Sequence, residues 1–224
     1  MSFAPLVSVV SSITLYLKAD RQNERMGAQV ERFDAEPWAK QLNAAMKVGI
    51  VVVFAIAVFV PLEVLEGKGM TFRAPFFVGV AAIVPIIEKF GPRSPYPHLA
   101  DCLIVAPFLI DTLGNLLGFY DRFNVTDDIL HTVNWMLLVG AFHAFRFRSV
   151  GDNRDARFLG AGFGALAIVV WEIAEWIVQE TGAGGGLSLT YPDTIGDLTL
   201  STAGGIVGSI LAVRWFGHRT AEPE

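Results

Sequence analysis

The sequence predicts an all-α protein, a polytopic membrane helix bundle of about six transmembrane helices behind an N-terminal amphipathic or interfacial segment. Three observations carry this reading. Hydrophobic residues are 53% of the 224 and charged residues only 17%, whereas ordinary soluble domains are about a quarter charged. Mean hydropathy is +0.48. Apolar runs near the length that crosses a bilayer, about 20 residues, recur along the chain, and Lys and Arg gather in alternate loops between them.

Residues 3–17 are apolar, short and preceded by no basic residue. A signal peptide opens with positive charge, so an interfacial helix is expected there, followed by a charged, amphipathic cytoplasmic segment to residue 43. The first span, Ala44 to Leu65, is almost unbroken Val, Ile, Phe and Ala from Val48 to Leu62. Ala74 to Ile87 is apolar but only 14 residues long, the weakest of the six. The others are His98–Phe119, Asp128–Phe145, Arg157–Ile177 and Asp193–Phe216. The chain thus divides into an N-terminal segment (1–43), a six-helix transmembrane domain (44–217) and a cytoplasmic tail (218–224). With the N-terminus inside, 14 of the 17 Lys and Arg fall on the inner side, and only Lys68, Arg73 and Arg122 lie outside. That is the asymmetry of the positive-inside rule.

Other classes are excluded early. A formal charge of −5 argues against nucleic acid, which calls for a basic surface. Cys102 is the only cysteine, so neither a disulfide framework nor a thiolate metal cage can form. There is no GxSxG string, and Gly182–Gly186 lacks the Lys-Ser/Thr pair of a phosphate loop. Gly160/Gly164 and Gly204/Gly208 have GxxxG spacing, which lets helix backbones approach closely. Helix packing is the favoured use; a homo-oligomer or a membrane-protein partner through these faces is the other.

Ionisable groups inside spans cost at least a few kcal/mol each at the bilayer centre, and so invite a functional hypothesis. Four spans carry them at helical spacing: Asp111 with Asn115, Asp127 and Asp128 with His131, Glu172 with Glu175, and Asp193 with Asp197. At 1.5 Å per residue, Asp111 lies about 12 Å below the outer end of its span, and the other pairs reach the same outer layer. So many carboxylates cannot share a dry site while all ionised: some are protonated, a cation neutralises them, or they line water. Acid pairs on facing helices with an added imidazole match the metal sites of four-helix bundles. The expected ligands are Asp111, Asn115, Asp128, His131, Glu172, Glu175, Asp193 and Asp197. Oxygen-rich donors favour Mg²⁺, Mn²⁺, Ca²⁺ or iron over zinc. Asp101 and His98, at the inner end of their span, are expected to be solvated, as are Glu88 and Lys89. His143 is expected at the interface, and Asp121 in a turn within reach of the site.

The ordered strings Asp111-Thr-Leu-Gly-Asn115, Tyr120-Asp121, Asp128-x-x-His131, Glu172-x-x-Glu175-Trp176 and Asp193-Thr-x-x-x-Asp197 resemble the YjdF-like family of small bacterial inner-membrane proteins. They resemble VanZ-like proteins more distantly. The resemblance spans about residues 45–217 and implies a multi-pass protein of the bacterial inner membrane; the loop charges put both termini in the cytoplasm. It carries no reaction. The residues themselves suggest a metal-dependent membrane hydrolase or transferase acting on a lipid or lipid-linked substrate, with Glu175 or Asp197 as general base. Two alternatives stand beside it: a cation or proton transporter using the same acids, and an accessory subunit whose polar cluster is structural.

Overall fold

The computed structural model describes residues 29–146, 153–182 and 189–217, all helix and connecting turn, with no strand among them. The expected interfacial helix at 3–17, most of the Gly182–Gly186 loop and the tail lie outside the described residues.

A short helix, α1 (residues 29–35), leads into α2 (Pro37–Phe59). The first span therefore begins at Pro37, not Ala44, and ends at Phe59, not Leu65. Proline suits the first helical turn, where its missing N–H costs nothing, and nothing between Pro37 and Ala44 breaks the helix. Pro61 forces its predecessor out of the helical region, and Val60 is extended (φ −98°, ψ 121°).

The weakest of the expected spans is longer than its apolar core. Met70–Phe90 forms 21 residues of near-continuous helix, long and apolar enough to cross a membrane. It is built from α3 (Met70–Gly79), a 3₁₀ turn over Val80–Ala82, and α4 (Ile83–Phe90). The tightening lies just before Pro85, whose ring clashes with the carbonyl four residues back, on Ala81. Pro107, by contrast, sits inside α5 (His98–Leu116) without interrupting it.

After α5, Gly118 takes a left-handed conformation (φ +69°) and starts a one-turn helix, α6 (Phe119–Arg122). Then come α7 (Thr126–Arg146), α8 (Asn153–Glu180) and α9 (Tyr191–Gly217). Five helices are membrane-spanning by length and composition: α2, the α3–α4 unit, α5, α8 and α9. The sixth, α7, matches them in length but carries Asp127, Asp128, His131 and Asn134. It is sheltered instead, packing on α5, α8 and α9.

Glycine makes that packing close. A Cβ on Gly204 would stand 2.2 Å from the Thr132 carbonyl oxygen, and one on Gly208 2.7 Å from the Met136 backbone. Gly160 abuts His143 and Ser209, and Gly164 abuts Val139. Both GxxxG faces are thus occupied within the chain, against α7, and are not open to a partner.

Two polar groups at the end of the bundle where α2 begins differ from expectation. Asp101 is fully buried, not solvated; it meets Lys47 Nζ at 2.5 Å and accepts from the Tyr96 hydroxyl at 2.6 Å. Glu88 is buried too, accepting from the Arg93 backbone N–H at 2.7 Å with the Arg93 side chain 3.3 Å away. In each case a basic side chain neutralises the acid, Arg93 from five residues on and Lys47 from another helix, the second of which spacing alone cannot reveal. At this same end Asp34 of α1 accepts a 2.7 Å bond from the Leu99 N–H, capping α5 from another helix.

Candidate functional site

The opposite end of the bundle, where α5 and α8 finish and α3, α7 and α9 begin, holds a cavity of about 920 Å³. That is near the top of the range for small-molecule sites, about 300–1,000 Å³. Its wall has two parts. One is polar and includes Arg73, Asp111, Asp127, His131, Glu175 and Asp197; the other is aromatic and includes Phe76, Phe108, Trp135 and Trp171.

At the polar end, α7 and α9 bring Asp127, His131 and Asp197 together, with one ligand-type atom from each within 4.8 Å of the others. His131 Nε2 stands 3.7 Å from Asp127 Oδ1 and 3.3 Å from Asp197 Oδ1. Its Nδ1 is 3.0 Å from Ser201 Oγ, on the turn of α9 after Asp197. With Nδ1–H donating to Ser201, Nε2 turns its lone pair toward the two carboxylates. Ring orientation of this kind by a partner on the far nitrogen is usual at metal-binding histidines. Donor atoms about 2.1 Å from one cation stand about 3.0 Å apart on an octahedral edge and about 3.4 Å on a tetrahedral one. The two histidine–carboxylate distances, 3.3 and 3.7 Å, bracket the tetrahedral value and both exceed the octahedral one.

Glu172 is a separate case. It is 6% exposed, and neither carboxylate oxygen has a hydrogen-bond partner among the described residues. It lies within electrostatic reach of Glu175, Asp197, Asp193 and Asp127. A buried carboxylate without a partner is costly, and a nearby cation is the economical compensation. The donor set and the spacing fit a hard divalent ion, while Glu172 is not among the residues that line the cavity.

The other expected ligands are distributed differently. Asp111 lines the cavity but is engaged: the Tyr120 hydroxyl donates to Oδ1, and Arg73 Nη1 lies 3.9 Å from Oδ2. The left-handed turn at Gly118 folds Tyr120 back onto Asp111. Asn115 points its amide nitrogen at the Asp111 carbonyl oxygen (3.1 Å) and carboxylate (3.5 Å), so it positions Asp111 rather than joining the triad. Glu175 lines the cavity within electrostatic reach of His131 and Arg73. Asp193 is exposed at the rim. Asp128 is exposed and away from the cavity; its neighbour Asp127, one step around the helix, takes the place expected for it.

Sequence reasoning missed Asp127 as a ligand, Ser201 as its histidine's partner, and the cationic side of the cavity. Lys68 and Arg73 entered only as loop charges, yet both line it. Lys68 pairs with Asp121 at 2.7 Å, which brings that turn residue to the rim. His143 is buried rather than interfacial, its Nε2 2.8 Å from Ser209 Oγ.

Fold and site together define a polytopic helical membrane protein with an acid-and-histidine cluster at one end of its bundle. The chain belongs to the family described as "Predicted membrane protein (DUF2238)", whose model matches residues 42–218. Comparison with curated proteins and with solved structures finds no match.

Proposed function

We propose that this protein is a metal-dependent membrane enzyme that hydrolyses or transfers a group on a lipid or lipid-linked substrate, with its divalent cation held by Asp127, His131 and Asp197. The observation that carries it is the shared cavity: the triad and the aromatic wall line one 920 Å³ space. An amphiphile can therefore present its head to the polar end while its chain stays among apolar rings.

A divalent ion there supplies a Lewis acid for a phosphoryl or carbonyl oxygen and lowers the pKa of bound water. The remaining roles belong to the chain. Asp197 is committed to the triad, which leaves Glu175 as the general base, within the cavity but outside the three-atom cluster. Asp111, steadied by Tyr120 and Asn115, orients Arg73. Ser201 holds the imidazole ring. The charge asymmetry of the loops supports an orientation with this cavity on the extracytoplasmic side of a cell inner membrane and both termini in the cytoplasm. The ordered sequence strings support the narrower likeness to YjdF-like proteins.

A second reading has one observation in its favour. At 3.3 Å, His131 Nε2 and Asp197 Oδ1 are close enough for a protonated imidazole to tie α7 to α9 with no metal. Reconstitution in mixed-lipid vesicles separates the readings. The enzyme reading expects head-group or fatty-acid release that needs Mn²⁺ or Mg²⁺, stops with EDTA, and is lost in Glu175→Gln. Protein that binds no metal and releases nothing favours the tie, metal-bound protein that moves cations across the vesicle wall and releases nothing is a transporter, and either result makes the enzyme reading wrong.

A further inference from the structure

We infer that the cavity takes an anionic, phosphate-bearing lipid, whose phosphate is held by the Arg73 guanidinium and whose chain leaves sideways past Phe76, Phe108 and Trp171. This rests on the proposed function and narrows its substrate class.

Arg73 is the cation with capacity to spare. Its contact with Asp111 is an ion pair at 3.9 Å, beyond hydrogen-bond length. Asp111, for its part, is already bonded by Tyr120 and approached by Asn115. A guanidinium has five N–H donors in a planar fork that matches two phosphate oxygens at once. Lys68, on the same rim, is bound at 2.7 Å to Asp121 and so is a weaker candidate. The triad offers three ligand atoms, so a cation held there would keep positions open for a substrate oxygen, while Arg73 lines the same cavity.

The chain has a matching path. Arg73 and Phe76 are three residues apart on α3, hence on one face and about 4.5 Å apart along the axis. Head-binding and chain-binding side chains are therefore stacked one turn apart. Beyond Arg73, α3 meets its neighbours through rings: Phe76 with Trp171 at 5.8 Å, Phe76 with Phe108 at 6.1 Å and Phe77 with Phe108 at 5.0 Å between centroids. Phe76 is 57% exposed and Phe72 46% exposed, yet both line the cavity. The apolar part of the cavity thus opens on the bundle flank that faces lipid. A two-chain lipid need not be engulfed; its head and upper chain enter while the rest stays in the bilayer.

The test uses full-length protein in phosphatidylcholine nanodiscs with Mn²⁺, titrated with phosphatidic acid brominated on its chains, and read by tryptophan quenching. Brominated phosphatidylcholine and inorganic phosphate are the parallel arms. Phosphatidic acid presents a net anionic phosphate monoester, without the choline cation that offsets the phosphodiester of phosphatidylcholine. It is expected to bind at least about tenfold tighter, the worth of about one additional charge-assisted hydrogen bond. Arg73→Gln should lose that preference, Arg73→Lys should keep part of it, and both should retain the wild-type metal content and melting temperature. Trp171→Phe should lose part of the quenching, with Trp135 in the same cavity reporting the remainder. Equal affinity for the two lipids, or an Arg73→Gln protein that still discriminates, overturns the inference. So does inorganic phosphate binding as tightly as phosphatidic acid, since the chain would then contribute nothing. Metal-bound protein without lipid preference sinks this inference alone. Lipid preference in a wild type that binds no metal sinks the metal reading alone.

Discussion

Gly204→Ala tests how closely α7 and α9 must approach for the site to exist. The new Cβ would lie 2.2 Å from the Thr132 carbonyl oxygen, 2.9 Å from its carbon and 3.0 Å from the Thr132 Cα. These are backbone atoms, so no rotamer can relieve the contact. Bringing the shortest to the 3.0 Å below which real Cβ contacts essentially never fall separates the helices locally by at least about 0.8 Å. Thr132 follows His131, and Ser201 lies one turn before Gly204. The 3.3 Å His131–Asp197 and 3.0 Å His131–Ser201 distances would stretch toward about 4 Å, out of hydrogen-bond range. Overpacking of this kind costs about 1–3 kcal/mol, of which alanine's better helix propensity returns up to about 1. Loss of an outer partner at a metal-bound histidine weakens metal affinity about 10- to 100-fold. Gly196→Ala is the matched control, because a Cβ there meets nothing within 4 Å. Unfolding in detergent and Mn²⁺ titration calorimetry read the two effects. If Gly204→Ala behaves like Gly196→Ala in both, the close approach does not hold the site.

Glu172→Gln should raise the melting temperature of metal-free protein by removing a buried carboxyl group whose oxygens have no hydrogen-bond partner among the described residues, and lower Mn²⁺ affinity severalfold; unchanged affinity would detach Glu172 from the site. Lys47→Met strands buried Asp101 and should cost about 3–5 kcal/mol, largely recovered in the double variant with Asp101→Asn; chemical unfolding of the three proteins decides. Burial pushes the Asp34 carboxyl up to about 6, against the lowering effect of the Leu99 and His98 backbone N–H groups. For a raised carboxyl, the stabilisation is complete below the unfolded value near 3.8 and fades as pH rises through about 6. Wild type and Asp34→Asn should therefore melt together at about pH 3, below the unfolded value, with wild type lower at pH 7.5; parallel curves at both pH values would count against it.

The bundle was largely legible because its signal is local. Apolar runs and loop charges are properties of contiguous residues, and they located the five candidate spans and α7 but not the short helices α1 and α6. Boundaries followed proline chemistry, which a hydropathy run does not register: Pro37 starts α2 early and Pro61 stops it. The site was legible at the level of helices but not of side chains. Spacing placed His131 opposite α9 and found Asp197. It could not choose between Asp127 and Asp128, one three and one four residues from His131, because that choice depends on how α7 is rotated in the bundle. The Gly204 and Gly208 contacts with α7 set that rotation. Arg73 stayed hidden because a loop-side arginine looks the same whether it faces water or a cavity. Asp101 was misjudged for the converse reason, since its partner Lys47 is 54 residues away on another helix.

Anomalous scattering from crystals grown with Mn²⁺ tests the central claim most directly. The account predicts a single strong peak within coordination distance of Asp127, His131 Nε2 and Asp197, absent from crystals of the His131→Ala protein. A well-ordered wild-type site with no peak there, and the imidazole hydrogen-bonded straight to Asp197, would contradict it.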